Sequence, residues 1–189
     1  IGLRLSNQAT IELLAKQHLD EFKNWLKSQN MYVFTMNGFP YGAFHNKPVK
    51  DQVHHPDWTT NERLDYTLRL IRILTELLPE NIEGGISTSP ISYKHWYSGA
   101  IKNNKVDEAC EHLIKIAYEL IKIKQTTGKT IHIDIEPEPD GILESSKDCI
   151  NFFNKKLIPV GKNILSKQLN IKTKTAEKKI KDHIQICFD

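Results

Sequence analysis

The chain is 189 residues long, 39% hydrophobic and 26% charged, with a formal charge of +3 at pH 7. That is enough apolar material for one sizeable core, and the length favours a single domain over residues 1–189. There is no run of about 18 apolar residues and no charged-then-apolar leader, so neither membrane insertion nor a secretory signal is read from these residues. Three scattered cysteines, Cys110, Cys149 and Cys187, fit neither a disulfide framework nor a zinc knuckle, and a cytoplasmic location is expected. Because the sequence opens on Ile1 rather than Met, further residues are expected to precede it.

Short strand-like runs alternate with longer helical ones. Residues 1–5 and 31–36 read as strands, and between them Leu14, Leu19, Phe22, Trp25 and Leu26 recur at helical spacing. The segment 37–58 is a long connection carrying Asn37, Phe39, Tyr41, Phe44, His45, Lys50 and Trp58. Loops of that length are functional lids or disordered, and four aromatics argue against disorder. A second helix runs through Leu64, Leu68, Ile71, Leu74 and Leu78, opened by a Thr59-x-x-Glu62 capping box and closed by Pro79. A third strand at 85–88 leads into a loop, 89–97, with Tyr93, Lys94, His95, Trp96 and Tyr97. The next helix uses Val106, Cys110, Leu113, Ala117 and Leu120 and stops before Gly128.

The fourth strand, 130–136, is the most informative stretch. Ile131, Ile133 and Ile135 fall on one face while His132, Asp134 and Glu136 fall on the other. Pro137 then stops the ladder at Glu136. Ile150, Phe153 and Leu157 mark a shorter helix behind Ser145; residues 159–175 remain open between helix and loop; 176–183 read as a last helical turn or two, and 184–188 as a fifth strand.

Strand and helix alternate throughout, which predicts a parallel sheet with helical crossovers in an α/β fold. Two architectures fit. One is a doubly wound, flavodoxin-like five-stranded sheet; the other is a portion of a (β/α)8 TIM barrel, whose full length is typically about 250 residues. No glycine-rich phosphate loop follows any strand, which favours the barrel.

Carboxylates at strand ends serve as hard-cation ligands or as general acid and base, and Glu136 with Glu138 is the evident pair. Adjacent His54 and His55 in a polar loop read as exposed. The lysine-rich stretch from Lys155 to Lys181 lacks arginine and interleaved aromatics, so a nucleic-acid partner is not expected.

The run from Tyr32 to His45, with Val49-Lys50, Pro56-Asp57-Trp58, Arg63, Ile86-Ser87-Thr88 and Ile135-Glu136-Pro137-Glu138-Pro139, closely resembles the EboE family of metabolite traffic proteins. Those are similar to xylose-isomerase-like TIM barrels. The resemblance implies that this chain holds the second to sixth strands of such a barrel. It implies a divalent metal, Mn²⁺, Zn²⁺, Co²⁺ or Mg²⁺, with Glu136 and Asp189 matching two ligand positions. Glu136, Lys50 and His45 would then be catalytic. Asn37, Phe39, Tyr41, Phe44, Trp58, Glu138 and Trp96 would line a pocket for a small metabolite. The expected activity is an isomerase or epimerase acting on a sugar-like or polyol compound, with a non-catalytic metabolite binder as the alternative. A sheet with two unpaired edges is expected to aggregate or dimerise.

Overall fold

A computed structural model describes residues 1–15, 17–42 and 50–188. Strand β1 (Gly2–Arg4) is followed by helices α1 (Asn7–Leu13) and α2 (His18–Ser28), strand β2 (Thr35–Asn37), a 3-10 turn (Lys50–His54) and helix α3 (Asn61–Leu77). Then come β3 (Gly84–Thr88), α4 (Gly99–Thr127), β4 (Ile131–Ile135), α5 (Ser146–Phe152), a π-helical stretch (Phe153–Leu157), α6 (Ile158–Gln168), α7 (Thr173–His183) and β5 (Ile184–Ile186). No helix among the described residues is long and apolar enough to cross a membrane.

All five strands are parallel and lie side by side in chain order. A doubly wound sheet reverses direction partway and places a later strand outside the first. The flavodoxin-like alternative is therefore set aside, and the fold is an α/β sheet wound one way.

Register explains why the sheet has one wet face. Leu3, Met36, Ile86, Ile133 and Ile184 are successive partners across the strands. The last four are at most 1% exposed and join the core with Leu70, Leu74, Leu113 and Ile180 from the helices. One residue along, the partners are Arg4, Asn37, Ser87, Asp134 and Gln185. A strand turns alternate residues to opposite faces, so this polar row lies opposite the helices, and each of its members is half-buried or exposed.

Several local expectations shift. The first helical interval is two helices, because Ala15 N–H and His18 Nδ1 donate to the Glu12 carbonyl and close a turn between them. Trp25 is 50% exposed and stacks on Phe22 at 5.8 Å rather than entering the core. Strand β2 begins only at Thr35, where it pairs with β1 and β3 together, and it includes Asn37. The cap of α3 is Thr60, whose hydroxyl accepts from Arg63 N–H, because Thr59 is already engaged by Asp57. Residues 158–168 are helical despite Pro159, which sits in the first turn of α6 where a missing N–H costs little.

Candidate functional site

The strands are parallel, so the connections after β2, β3 and β4 leave the same edge of the sheet, the edge where open α/β sheets and barrels carry their sites. At β4 the ladder continues past Ile135: Glu136 N–H donates to the Thr88 carbonyl at 2.9 Å. Glu136 is thus held at the rim, half-buried, on the polar face with Asp134 and His132. His132 Nδ1 lies 2.8 Å from Asp134 Oδ1, each side chain about one-fifth exposed. Gly85 makes room for them, since a Cβ there would stand 2.7 Å from Asp134 Oδ2 and 2.9 Å from His132 Cε1.

The loops after β3 and β4 are clasped. Tyr93 and Gly141 form an antiparallel bridge, with Lys94 N–H donating to the Asp140 carbonyl and Ile142 N–H to the Ser92 carbonyl, both at 2.8 Å. Gly141 packs against Pro90, where a Cβ would come within 2.5 Å of the ring. Lys94 Nζ adds ion pairs to Asp140 and Glu144 at 3.0 and 2.8 Å.

The connection after β2 is tied down from beneath. Arg63, fully buried on α3, donates through Nε to the Pro56 carbonyl at 2.8 Å and through Nη1 to the Gly38 carbonyl at 2.7 Å. Its guanidinium lies 5.9 and 5.6 Å from the Tyr41 and Tyr66 ring centroids. Burial pulls its pKa down to about 10, so it remains charged at neutral pH. Asp57 is also buried, and it accepts from Thr59 N–H, Thr59 Oγ1 and Ser92 Oγ, which joins this connection to the loop after β3.

Above Arg63 the rings gather around His54. The centroids of Phe39, Tyr93 and Trp96 lie 5.5, 5.6 and 6.4 Å from its imidazole, and Trp96 Nε1 donates to Asp51 Oδ2 at 3.1 Å. His54 is 4% exposed with no hydrogen-bond partner at Nδ1, which corrects the expectation that both adjacent histidines are exposed; only His55 is. The His54 ring packs against Phe39 and Tyr93, a consequence of tertiary packing that polarity alone does not reveal.

Burial and the nearby Arg63 charge hold the His54 pKa below the ordinary imidazole value, against the opposing pull of Asp57, Asp51 and Asp140. Folding therefore keeps His54 neutral while the unfolded chain takes up a proton, and stability is lost as pH falls below the usual imidazole value of about 6.5. Buried His183, whose Nδ1–H donates to the Ile131 carbonyl at 2.7 Å, acts in the same direction. His132 acts oppositely: its hydrogen bond to Asp134 raises its pKa, so its contribution is complete below the usual value and is lost as pH rises through the folded one. Urea midpoints measured from about pH 8 down to about pH 5, across the usual imidazole range, should fall less steeply for His54→Phe than for the parent. Equal slopes would show that His54 does not ionise on unfolding.

The residues expected at the site divide into three groups. Glu136, Glu138, Asn37, Phe39, Tyr41 and Trp96 all lie at the carboxyl edge. Asn37 is exposed with its Oδ1 accepting from Phe39 N–H, and Tyr41 packs edge-on against Tyr66. Trp58 does not belong with them. It is wholly buried, its Nε1 donating to Thr88 Oγ1 at 3.1 Å and its carbonyl accepting from His112 Nδ1 at 2.8 Å, so it is core rather than pocket wall. Phe44, His45, the Lys50 side chain and Asp189 lie outside the described residues. Reasoning from the sequence missed Arg63 and Asp57 as organisers. Arg63 is one of three arginines on α3, with Arg69 and Arg72, so nothing in its spacing set it apart.

Among the described residues no three His, Cys, Asp or Glu side chains gather into a cation site. Glu136 stands at the rim of β4 with Glu138 just beyond it, and a divalent ion there would need ligands beyond the described residues. The chain matches no family model and no curated protein.

Proposed function

We propose that this chain forms consecutive β/α units of a xylose-isomerase-like TIM barrel of the EboE type, and that it acts as an isomerase or epimerase on a small polyhydroxylated metabolite. The observation that carries this reading is the polar row Arg4, Asn37, Ser87, Asp134 and Gln185 running unbroken across five strands beneath ring-bearing loops. Donors toward β1 and carboxylates at β4 suit a ligand with several hydroxyls, each able to donate and accept. The half-buried rings of Tyr93 and Trp96 suit the C–H face of such a ligand. Glu136 is a candidate ligand for a divalent ion, together with Asp189, or else an acid–base group.

The same rings favour a second reading, a metabolite-binding protein without turnover. They make a wall that needs no chemistry.

Thermal unfolding of the full-length protein with Mn²⁺, Zn²⁺ or chelator, beside Glu136→Gln, tests the metal. An ion at a hundredfold excess over its Kd should raise the melting temperature of the parent by about 5–10 °C and leave the variant unmoved. If neither protein responds, Glu136 is not a ligand and the metal-dependent reading fails.

A further inference from the structure

We infer that His132, oriented by Asp134, is the group that moves protons at this site, an inference that rests on the isomerase reading above. The two side chains stand on the polar face of β4, away from the helices, and neither is needed to hold the sheet together: β3 and β4 are paired through their backbones. The Nδ1–Oδ1 contact of 2.8 Å fixes the ring and commits Nδ1 to the carboxylate. Proton exchange is then left to Nε2, which makes no hydrogen bond to any described residue. An imidazole anchored at one nitrogen by a carboxylate is the arrangement that keeps a base in one orientation and tautomer.

Gly85 is the second, independent support. It is the register partner of His132, and on the same row β1 contributes Gly2 and β2 the small Thr35. The pair itself occupies the space over Gly85, where any side chain would collide with it, and the imidazole stays about one-fifth exposed. Asn37 and Ser87 lie on the next row with Asp134, and Glu136 stands four residues along β4 from His132, about 13 Å farther along the strand.

The chemistry balances without another reactant. In the 1,2-isomerisation of an α-hydroxy carbonyl compound, Nε2 takes the proton from the hydroxyl-bearing carbon. The C–H electron pair becomes the double bond of an enediolate whose charge sits on the former carbonyl oxygen. The hydroxyl proton moves to that oxygen, and the imidazolium returns its proton to the neighbouring carbon. Asp134 stays ionised throughout. The charged groups facing His132 are Asp134 on its own strand and Glu83 just ahead of β3, both favouring the imidazolium.

The experiment is wash-out of carbon-bound hydrogen into D₂O, followed by ¹H NMR, with dihydroxyacetone, D-glyceraldehyde and D-xylose as probes. Exchange catalysed by the parent should fall by about a hundredfold or more in both His132→Asn and His132→Gln, the range general base catalysis commands. Asp134→Asn should retain part of the rate, with its pH profile displaced to lower pH because the imidazolium has lost its carboxylate. Both His132 variants are first shown to melt within a few degrees of the parent. Exchange that survives in both folded variants overturns the role of His132 and leaves the isomerase reading standing. No exchange by the parent with any probe overturns both, and the metabolite-binding reading then remains.

Discussion

Trp58→Ala should destabilise the protein by about 3–5 kcal/mol, the range for deleting a fully buried large aromatic. Trp58 has no exposed surface and packs in the core, bonded to the end of β3 and to the middle of α4. Three polar attachments run through it. Its N–H donates to the Ile91 carbonyl at 3.0 Å, its indole N–H to Thr88 Oγ1 and its carbonyl accepts from His112. Truncation opens a cavity and strands the Thr88 hydroxyl, which is itself buried. Trp58→Phe separates the contributions: it keeps most of the apolar volume and loses the indole bond, so its cost should be about 1–2 kcal/mol. Urea unfolding measures both. If Trp58→Ala instead left stability within about 1 kcal/mol of the parent while abolishing ligand binding, the side chain would belong to the pocket after all.

Arg63→Met is the second large expected loss, about 2–4 kcal/mol. Charge-assisted hydrogen bonds contribute about 1.5–3 kcal/mol each, and two buried carbonyls lose theirs, while relief of the buried charge offsets part of the total. The bonds to Gly38 and Pro56 hold both ends of the connection after β2, so the damage extends past stability to the wall of the candidate site. Arg63→Lys recovers little, because a single ammonium on a flexible stem cannot span two carbonyls held by a planar fork. The checking measurement pairs urea unfolding with the near-ultraviolet circular dichroism of the aromatic cluster. Retention of both stability and that signal would mean that the connection is held by its own packing.

Both residues show how far a sequence carries the reading. The alternation of Ile131, Ile133 and Ile135 with His132, Asp134 and Glu136 is a local property, and the faces that it predicts are those found. The helices through Leu74 and Leu113 were equally legible, because a period near 3.6 residues reflects burial on one side. Trp58 and His54 were not legible: an aromatic or an imidazole in a polar loop has the same spacing whether it faces solvent or core. Arg63 reads as a surface cation in one dimension and becomes an internal tie only when two loop carbonyls are folded over it.

What the sequence by itself determined is the alternation of five strands with helical intervals, the faces of β4 and the set of rings and carboxylates on the connections, since these follow from local periodicity and turn chemistry. The tertiary structure alone decided the strand order, which separates a sheet wound one way from a doubly wound one, and the rows that register assembles from different strands. It also decided which loop residues are buried. Pairing partners and burial depend on residues far apart in the chain. Asp134 meets Ser87, and Arg63 meets Gly38 and Pro56, only once the sheet has formed.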